Sequence, residues 1–341
     1  MKEKCRYSLV VGTGGIGTGV VYRLEGMHDL GRNESRAGRL LPQKDFCKQH
    51  IILHYVSRIL RGLRQRVRVV PFGAVGRDAA GDSLLELMRD EGMDVGQVLR
   101  MAGAPTLHSV CFQYPDSSGG NITENKSAGS LLKPGHLTQV ERMLKGTGER
   151  AMVLAAPEVP MSVRARLLEV GRRSGCFTAA SFTSEEMGMV RKECLLRNVD
   201  LLSINTDEAA ALAGVRASRE SQRIVKKVTG AAVAMNPEIR LCMTSGAQGL
   251  YGYHQGITQL LPGLKVKVAN TAGAGDACMA GLMLGTILGQ RFVAASGPSA
   301  LGFGRALSAM SVLSADTINF EISADTLRAF ARKMGADLLG K

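Results

Sequence analysis

The sequence predicts an α/β fold: a doubly wound, mostly parallel sheet flanked by helices, carrying a small β lid. Three observations lead there. Short β-rich runs alternate with stretches of helical period, the pattern of parallel strands joined by helical crossovers. One region, Thr106 to Ser130, breaks the rhythm with two strand-like runs and no helix between them. No repeat, low-complexity tract or long linker divides the 341 residues, so a single domain over 1–341 is expected rather than two. Its lid strands are expected from about 12–40 and 106–130.

Taken in order, the chain opens with "YSLVVGTGGIGTGVVYRL" (Tyr7 to Leu24), an apolar run that breaks into five glycines and resumes as an apolar, helix-like stretch. "RILRGLRQRVRVV" reads as a solvated helix end leading into the strand "RVRVVPFGAVG" (66 to 76), and "DSLLELMRDEGM" follows as a helix. The excursion "TLHSVCFQYPDSSGGNITENKSAGS" reads as a hairpin around "PDSSGG", projecting from the main sheet where it can cover a ligand. Strands are then expected in "RAMVLAAPEV" (150 to 159), "VDLLSIN" (199 to 205) and "IRLCMTSG" (239 to 246), with "MSVRARLLEVGRRSG" as a helix after the first. Near the C-terminus, a short alternating strand in "KVKVANTAGAGDACMAGLMLGTILG" ends at Asn270-Thr271 and a long small-residue helix begins at Asp276.

Composition narrows the function. The net charge of +13, from 43 Lys+Arg against 30 Asp+Glu, favours an anionic ligand. Nucleic acid is not expected: tryptophan is absent, aromatics make 4%, and no aromatic residue is interleaved with Arg58, Arg61, Arg64, Arg66 and Arg68. The seven cysteines form no C-x-x-C pair and suit reduced thiols. Cys47, His50 and His54 fall on one face of a possible helix, with ordinary packing expected over a zinc site because no fourth ligand is suggested. No apolar run has the length of a membrane span and no signal-peptide pattern is seen, so a cytoplasmic protein without a membrane partner is expected.

Gly12, Gly14 and Gly17 satisfy G-x-G-x-x-G, which would suggest a dinucleotide and an oxidoreductase. That fingerprint needs a second strand ending in an acidic residue about 20 residues on. The corresponding stretch, His28 to Asp45, is polar and broken by Gly31, Gly38 and Pro42; no strand is read there, and Glu34 sits in loop-like sequence. A glycine turn at a strand end also serves hydroxylated or phosphorylated ligands.

The second glycine motif carries more chemistry. Gly273 and Gly275 let the turn pass close to a ligand, and backbone N–H groups opening a helix converge on negative charge. Asp276 at the same helix start is placed to take a proton from an attacking hydroxyl. Its alternative is a helix-capping residue.

At "NTAGAGD" the chain resembles the D-T-x-G-A-G-D signature of the ribokinase-like (PfkB) carbohydrate kinases. "GAVGRDAAGDSLLELMRDEGMDV" (Gly73 to Val95), "NTDEAAALAG" (Asn205 to Gly214) and "TSGAQGLYGY" (Thr244 to Tyr253) resemble further family segments in the same order, and the excursion lies where the family carries lid strands. The resemblance runs from roughly residue 8 to 318. It implies a phosphotransferase that moves the γ-phosphoryl group of ATP to a hydroxyl of a sugar, sugar acid or sugar phosphate. Asp276 would be the base, with the N–H groups of Ala274 and Gly275, in a turn shaped by Gly273, holding the phosphoryl group. Asn205 and Glu208 would organise Mg²⁺ and the phosphates, Glu208 through water, and Thr244, Gly246 and Gly249 would line the nucleotide. A cap plus an acidic first turn is the structural alternative for Asn205 and Glu208, and Asp78 with Gly81 reads as a supporting turn and helix start.

The departures concern the acceptor. Asn270 stands at the signature's usual first Asp, as in the family's sugar-phosphate kinases, and the family's G-G-x-x-x-N element is split by a longer insert here. The acceptor contacts expected are therefore Gly14, Gly15 and Asn33; Arg32, Arg36 and Arg39 could meet an acceptor anion or be solvated loop charges. A nucleoside kinase and a non-catalytic sugar or nucleotide sensor are the alternative functions; the sensor has no need of Asp276. Many relatives require a monovalent cation, and a homodimer through the lid is open; the sequence decides neither.

Overall fold

The computed structural model describes residues 5–116, 119–216, 221–335 and 338–339. Its strands are β1 (Leu9–Thr13), β2 (Gly17–Leu24), β3 (Gly38–Phe46), β4 (Arg68–Gly76), β5 (Val98–Met101), β6 (Leu107–Gln113), β7 (Gly119–Thr123), β8 (Ala151–Ala155), β9 (Phe177–Ala180), β10 (Leu201–Asn205), β11 (Arg240–Thr244), β12 (Leu250–His254) and β13 (Ile257–Leu261). The helices are α1 (Lys48–Gly62), α2 (Ala79–Asp90), α3 (Thr138–Thr147), α4 (Met161–Arg173), α5 (Met187–Lys192), α6 (Thr206–Ala213), α7 (Ser221–Met235), α8 (Ala274–Ile287), α9 (Ala300–Ser311) and α10 (Ala324–Lys333).

Nine strands form the main sheet in the order β13-β12-β11-β10-β9-β8-β1-β4-β5. Every pairing from β11 to β5 is parallel, and the hairpin β12–β13 adds an antiparallel edge. Parallel strands covered on both faces need apolar residues on both, so β1 and β8 read as continuous apolar runs. Val10, Met152 and Leu154 join the core under α1, α8 and α9, while Leu9, Val11 and Val153 join the one under α3 and α4. The expected strands and helices between residues 66 and 246 all form, within a few residues of their expected bounds.

Helices α8 and α9 pack closely because small residues meet at their crossing. A Cβ on Gly281 would lie 2.5 Å from the Phe303 carbonyl oxygen, and one on Gly285 would strike Ala300. Asp78 caps α2, accepting from the Gly81 N–H at 2.8 Å and from both the N–H and the hydroxyl of Thr106. One acid thereby ties α2 to the start of β6.

The second sheet has four strands in the order β3-β2-β6-β7. The expected hairpin is β6–β7, although Ser117 and Ser118 of its turn lie outside the described residues. Three sequence expectations are corrected. The stretch after the opening glycines is not helix-like: β2 runs there, and Gly17 is needed because a Cβ would collide with the Leu107 carbonyl of the neighbouring strand. The stretch 28–45, where no strand is read, contains most of β3. Pro42 is tolerated because β3 is an edge strand and its register against β2 shifts between Gly19 and Val21, so the proline sits at an irregularity. No strand forms over 265–271: the Ala269 and Asn270 N–H groups bond the Val312 carbonyl behind α9 instead of a strand.

Candidate active site

A cavity of about 740 Å³ opens where β10 and β11 end and α6 and α8 begin. Open α/β sheets bind ligands outside the carboxyl ends of their strands, and this cavity obeys that rule. Asn205, Glu208, Thr244, Gly246, Gly249 and Gly273 through Asp276 all line it, although they come from three separate segments.

The turn into α8 leaves backbone N–H groups free, an arrangement that suits an anion. Gly273, the N-cap, has φ +77°, and a side chain there would strike the Thr317 carbonyl, so no side-chain cap exists. The first-turn N–H groups of a helix have no intrahelical partner, so those of Gly275 and Asp276 are available to a ligand. The Ala274 N–H instead points at the Thr271 carbonyl, 3.3 Å away. Nothing lies within 4 Å of where a Cβ on Gly275 would stand. Asn270 shapes the approach: its amide oxygen accepts from the Ala272 N–H at 3.0 Å and its amide nitrogen donates to the Ala315 carbonyl at 2.8 Å.

Asp276 is buried, at 9% exposure. Burial raises its pKa above the ordinary carboxylate range, and Lys48 on α1 opposes that rise. The same lysine faces two further acids. Burial pushes Glu158, in the loop after β8, and Glu208, on α6, up to about 7, again against the pull of Lys48. Lys48 itself is held above its usual range, first by Asp276. One ammonium thus serves three carboxylates, and a raised pKa suits a group that must take a proton near neutrality.

Asn205 and Glu208 form a reciprocal capping box on α6. The Asn205 amide oxygen accepts from the Glu208 N–H at 2.9 Å, and Glu208 Oε2 accepts from the Asn205 N–H at 2.8 Å. The structural alternative for this pair is therefore realised, in a box that borders the cavity. Gly246 (φ +52°) and Gly249 (φ +108°) keep the turn after β11 narrow; Leu261 and Gly263 pack where a side chain on Gly249 would go.

The acceptor-side residues stand apart from that lining. A Cβ on Gly15 would come within 2.5 Å of Glu158 Oε2, and one on Gly14 within 2.8 Å of Gln49, so both glycines pack behind the Lys48–Glu158 region. Asn33, exposed and at φ +64°, sits in the loop between β2 and β3, outside the cavity lining. Arg36 is used by that loop: it bonds Glu34 at 2.6 Å and the carbonyls of His28 and Asp29. Arg32 and Arg39 are exposed. His50 and His54 lie wholly buried on α1 against Phe46 and Phe320, and burial takes His50 down to about 3.

Lys48, Glu158 and Asp45 were not predicted from sequence. Asp45, on β3, accepts from the Ser109 hydroxyl at 2.9 Å and raises the pKa of Asp276 through its charge. A lysine at a helix start and a glutamate between two prolines carry no motif. The one local signal at Glu158 is its φ of +75°, which only a structure reveals.

Sheet order, crossovers and an anion turn facing a buried acid define a class, that of ribokinase-fold phosphotransferases. The ribokinase of Giardia lamblia superposes with a TM-score of 0.78 at 16% identity, over 96% of this chain and 99% of that one. A structure of Arabidopsis thaliana ribokinase complexed with ribose and ATP gives 0.71 at 16%, over 95% and 98%. In sequence, a ribokinase of Haemophilus influenzae is 24% identical over 260 residues, 74% of this chain and 80% of that one. The pfkB family carbohydrate kinase model matches residues 56–324, and the chain belongs to that family. It is accordingly a carbohydrate kinase.

Proposed function

We propose that this enzyme transfers the γ-phosphoryl group of ATP to a hydroxyl of an uncharged sugar, with Asp276 as the base. The observation that carries the reading is the juxtaposition of uncapped N–H groups at Gly275 and Asp276 with a buried carboxylate on the same helical turn. The acceptor hydroxyl gives its proton to Asp276 as its oxygen attacks the γ-phosphorus; the bond to the β–γ bridging oxygen breaks, and ADP leaves. The N–H groups of Gly275 and Asp276, in a turn set by Gly273, take the charge gathering on the equatorial oxygens, with Ala274 spacing them. Lys48 is positioned to offset the negative charge that Asp276, Glu158 and the triphosphate bring together. Thr244, Gly246 and Gly249 border the rest of the nucleotide.

Mg²⁺ fits the chain's own donors. Glu208 spends one carboxylate oxygen on the capping box and borders the cavity with a half-buried, raised-pKa carboxyl, where a dication would favour the ionised form. Glu208 and Asn205 would hold the ion through water, and it would neutralise phosphate charge.

An uncharged acceptor is favoured over a sugar acid or sugar phosphate because Asp276, Glu158 and Glu208 share the one ammonium of Lys48 and Asp45 adds its charge at Asp276, and charge of the acceptor's own would add to that excess. Gly14 and Gly15 back this end; Asn33 would reach it only if the second sheet closes. That sheet would then act as a lid. Its outer face, with Tyr22, Leu40 and Ile122 exposed, suits a homodimer, which sedimentation would test. A kinase assay with ATP over neutral, acidic and phosphorylated sugars tests the whole reading: transfer to neutral sugars is expected, transfer confined to phosphorylated acceptors would overturn the acceptor class, and no transfer would overturn the activity.

A further inference from the structure

Away from the anion turn the cavity meets a cation with no counter-ion among the described residues. Arg305 on α9 lines it, half-buried. Its Nη1 comes 3.4 Å from the Pro262 carbonyl, longer than a good hydrogen bond, and its Nε is buried with no partner among the described residues. Burial depresses its pKa and no carboxylate counters the effect. The two acids of the lining, Glu208 and Asp276, both stand at the phosphoryl end. A desolvated guanidinium without a carboxylate is costly unless a ligand supplies the missing acceptors.

Its position says which part of the ligand it meets. Arg305, Ser308, Ala309 and Val312 present one face of α9 and its end to the cavity. Val312 holds the Ala269 and Asn270 N–H groups, and so marks the anion-turn end. Arg305 comes seven residues earlier, about 10 Å back along the helix axis. The lining around it is rich in glycine and aliphatic residues, Gly249, Leu250, Gly263 and Leu264 among them, and also includes Lys265. Apolar wall two helical turns from the anion-turn end suits a nucleobase.

We propose that Arg305 reads the base edge of the donor, and that this site accepts 6-oxopurine nucleotides, GTP and ITP, alongside ATP. The proposal rests on the kinase reading of the cavity. A guanidinium offers parallel N–H donors, and guanine or hypoxanthine presents two acceptors, O6 and N7, at matching spacing. Adenine presents N7 beside an amino donor, so only one of the two bonds can form.

The test is calorimetric titration of the full chain with ADP, GDP and IDP in Mg²⁺ buffer, which requires no knowledge of the acceptor. GDP and IDP are expected to bind at least as tightly as ADP. Arg305→Ala should weaken GDP about tenfold while moving ADP less than about threefold, and Arg305→Lys, which keeps the charge and loses the fork, should behave like Arg305→Ala. Thermal melts establish that both variants fold. Wild-type protein that binds ADP while GDP binds tenfold weaker overturns this inference alone. So does an equal loss of both nucleotides in Arg305→Ala, which would make the arginine a phosphate or packing contact. If ADP and GDP both fail to bind the wild type, the donor reading falls with it.

Discussion

Two glycine-rich turns stand near opposite ends of the chain, and they use glycine for opposite reasons. At Gly15 and Gly17 the space that a Cβ would occupy is filled by the protein itself, by Glu158 in one case and the Leu107 carbonyl in the other. At Gly275 that space is empty. The first turn is glycine-rich so that a second sheet and a charged loop can approach; in the second, Gly273 is needed for its φ and for the Thr317 carbonyl, and Gly275 is the glycine that leaves clearance for something outside the chain. Counting glycines in a motif cannot separate the two, because both are small-residue turns at the ends of strands or extended segments. What separates Gly275 from Gly15 and Gly17 is whether the clearance is already taken.

The largest expected effect tests the second turn. Asp276→Asn should lower turnover by about 10³-fold with ADP affinity nearly unchanged, measured by coupled assay and calorimetry. Retained turnover would remove the base and leave the turn only a binding role. Lys48→Met should come next. With the shared ammonium gone, the three carboxylates face one another and turnover should fall by about 10–100-fold, with the acidic limb of the pH–rate profile moved to higher pH.

The glycines themselves give the sharpest contrast. Gly15→Val should cost stability, about 1–3 kcal/mol by denaturant melts, because its side chain would overlap Glu158. Gly275→Ala should leave stability unchanged or raise it by about 0.5–1 kcal/mol, since it sits in a helix's first turn with open space, while weakening phosphoryl transfer. If both changes act on stability alone, the two turns do not differ in kind.

A pH series follows. Glu158 holds its proton to about 7 in the folded chain against an ordinary 4.5, so the folded state binds that proton more tightly than the unfolded. Its contribution to stability is fullest below 4.5 and declines as pH rises through about 7. Glu158→Gln should flatten that decline, read from melting temperatures between pH 5 and pH 8. The smallest effect is expected at Asn33→Ala, less than about threefold in acceptor KM, since the loop is exposed and outside the cavity lining. A tenfold rise would bring the loop onto the acceptor.

The main sheet was legible because buried parallel strands advertise themselves as apolar runs, and β4, β8, β10 and β11 fall where those runs do. β3 was not, because an edge strand with an irregular register can carry Pro42 and five exposed residues in nine. β2 was mistaken because glycines required by a neighbouring strand resemble those required by a ligand turn. Asn205, Glu208, Thr244, Gly246, Gly249 and Asp276 were picked out by local motifs, and the fold brings those motifs to one cavity. Lys48, Glu158 and Asp45 were not: they lie far from Asp276 along the chain and acquire meaning only when α1, the loop after β8 and β3 bring their charges to it.

The close crossing of α8 and α9 has a consequence for how this enzyme can change. Asp276 and the anion turn ride on one helix and Arg305 on the other, and the contacts at Gly281 and Gly285 leave no room to move either helix alone. A substitution that spreads them alters turnover and donor affinity in the same stroke, whereas the acceptor end is shared with strands of a separate sheet. On the roles proposed for them, inheritance is thereby divided: the half assigned to the nucleotide must be kept nearly whole, and the half assigned to the sugar is free to drift.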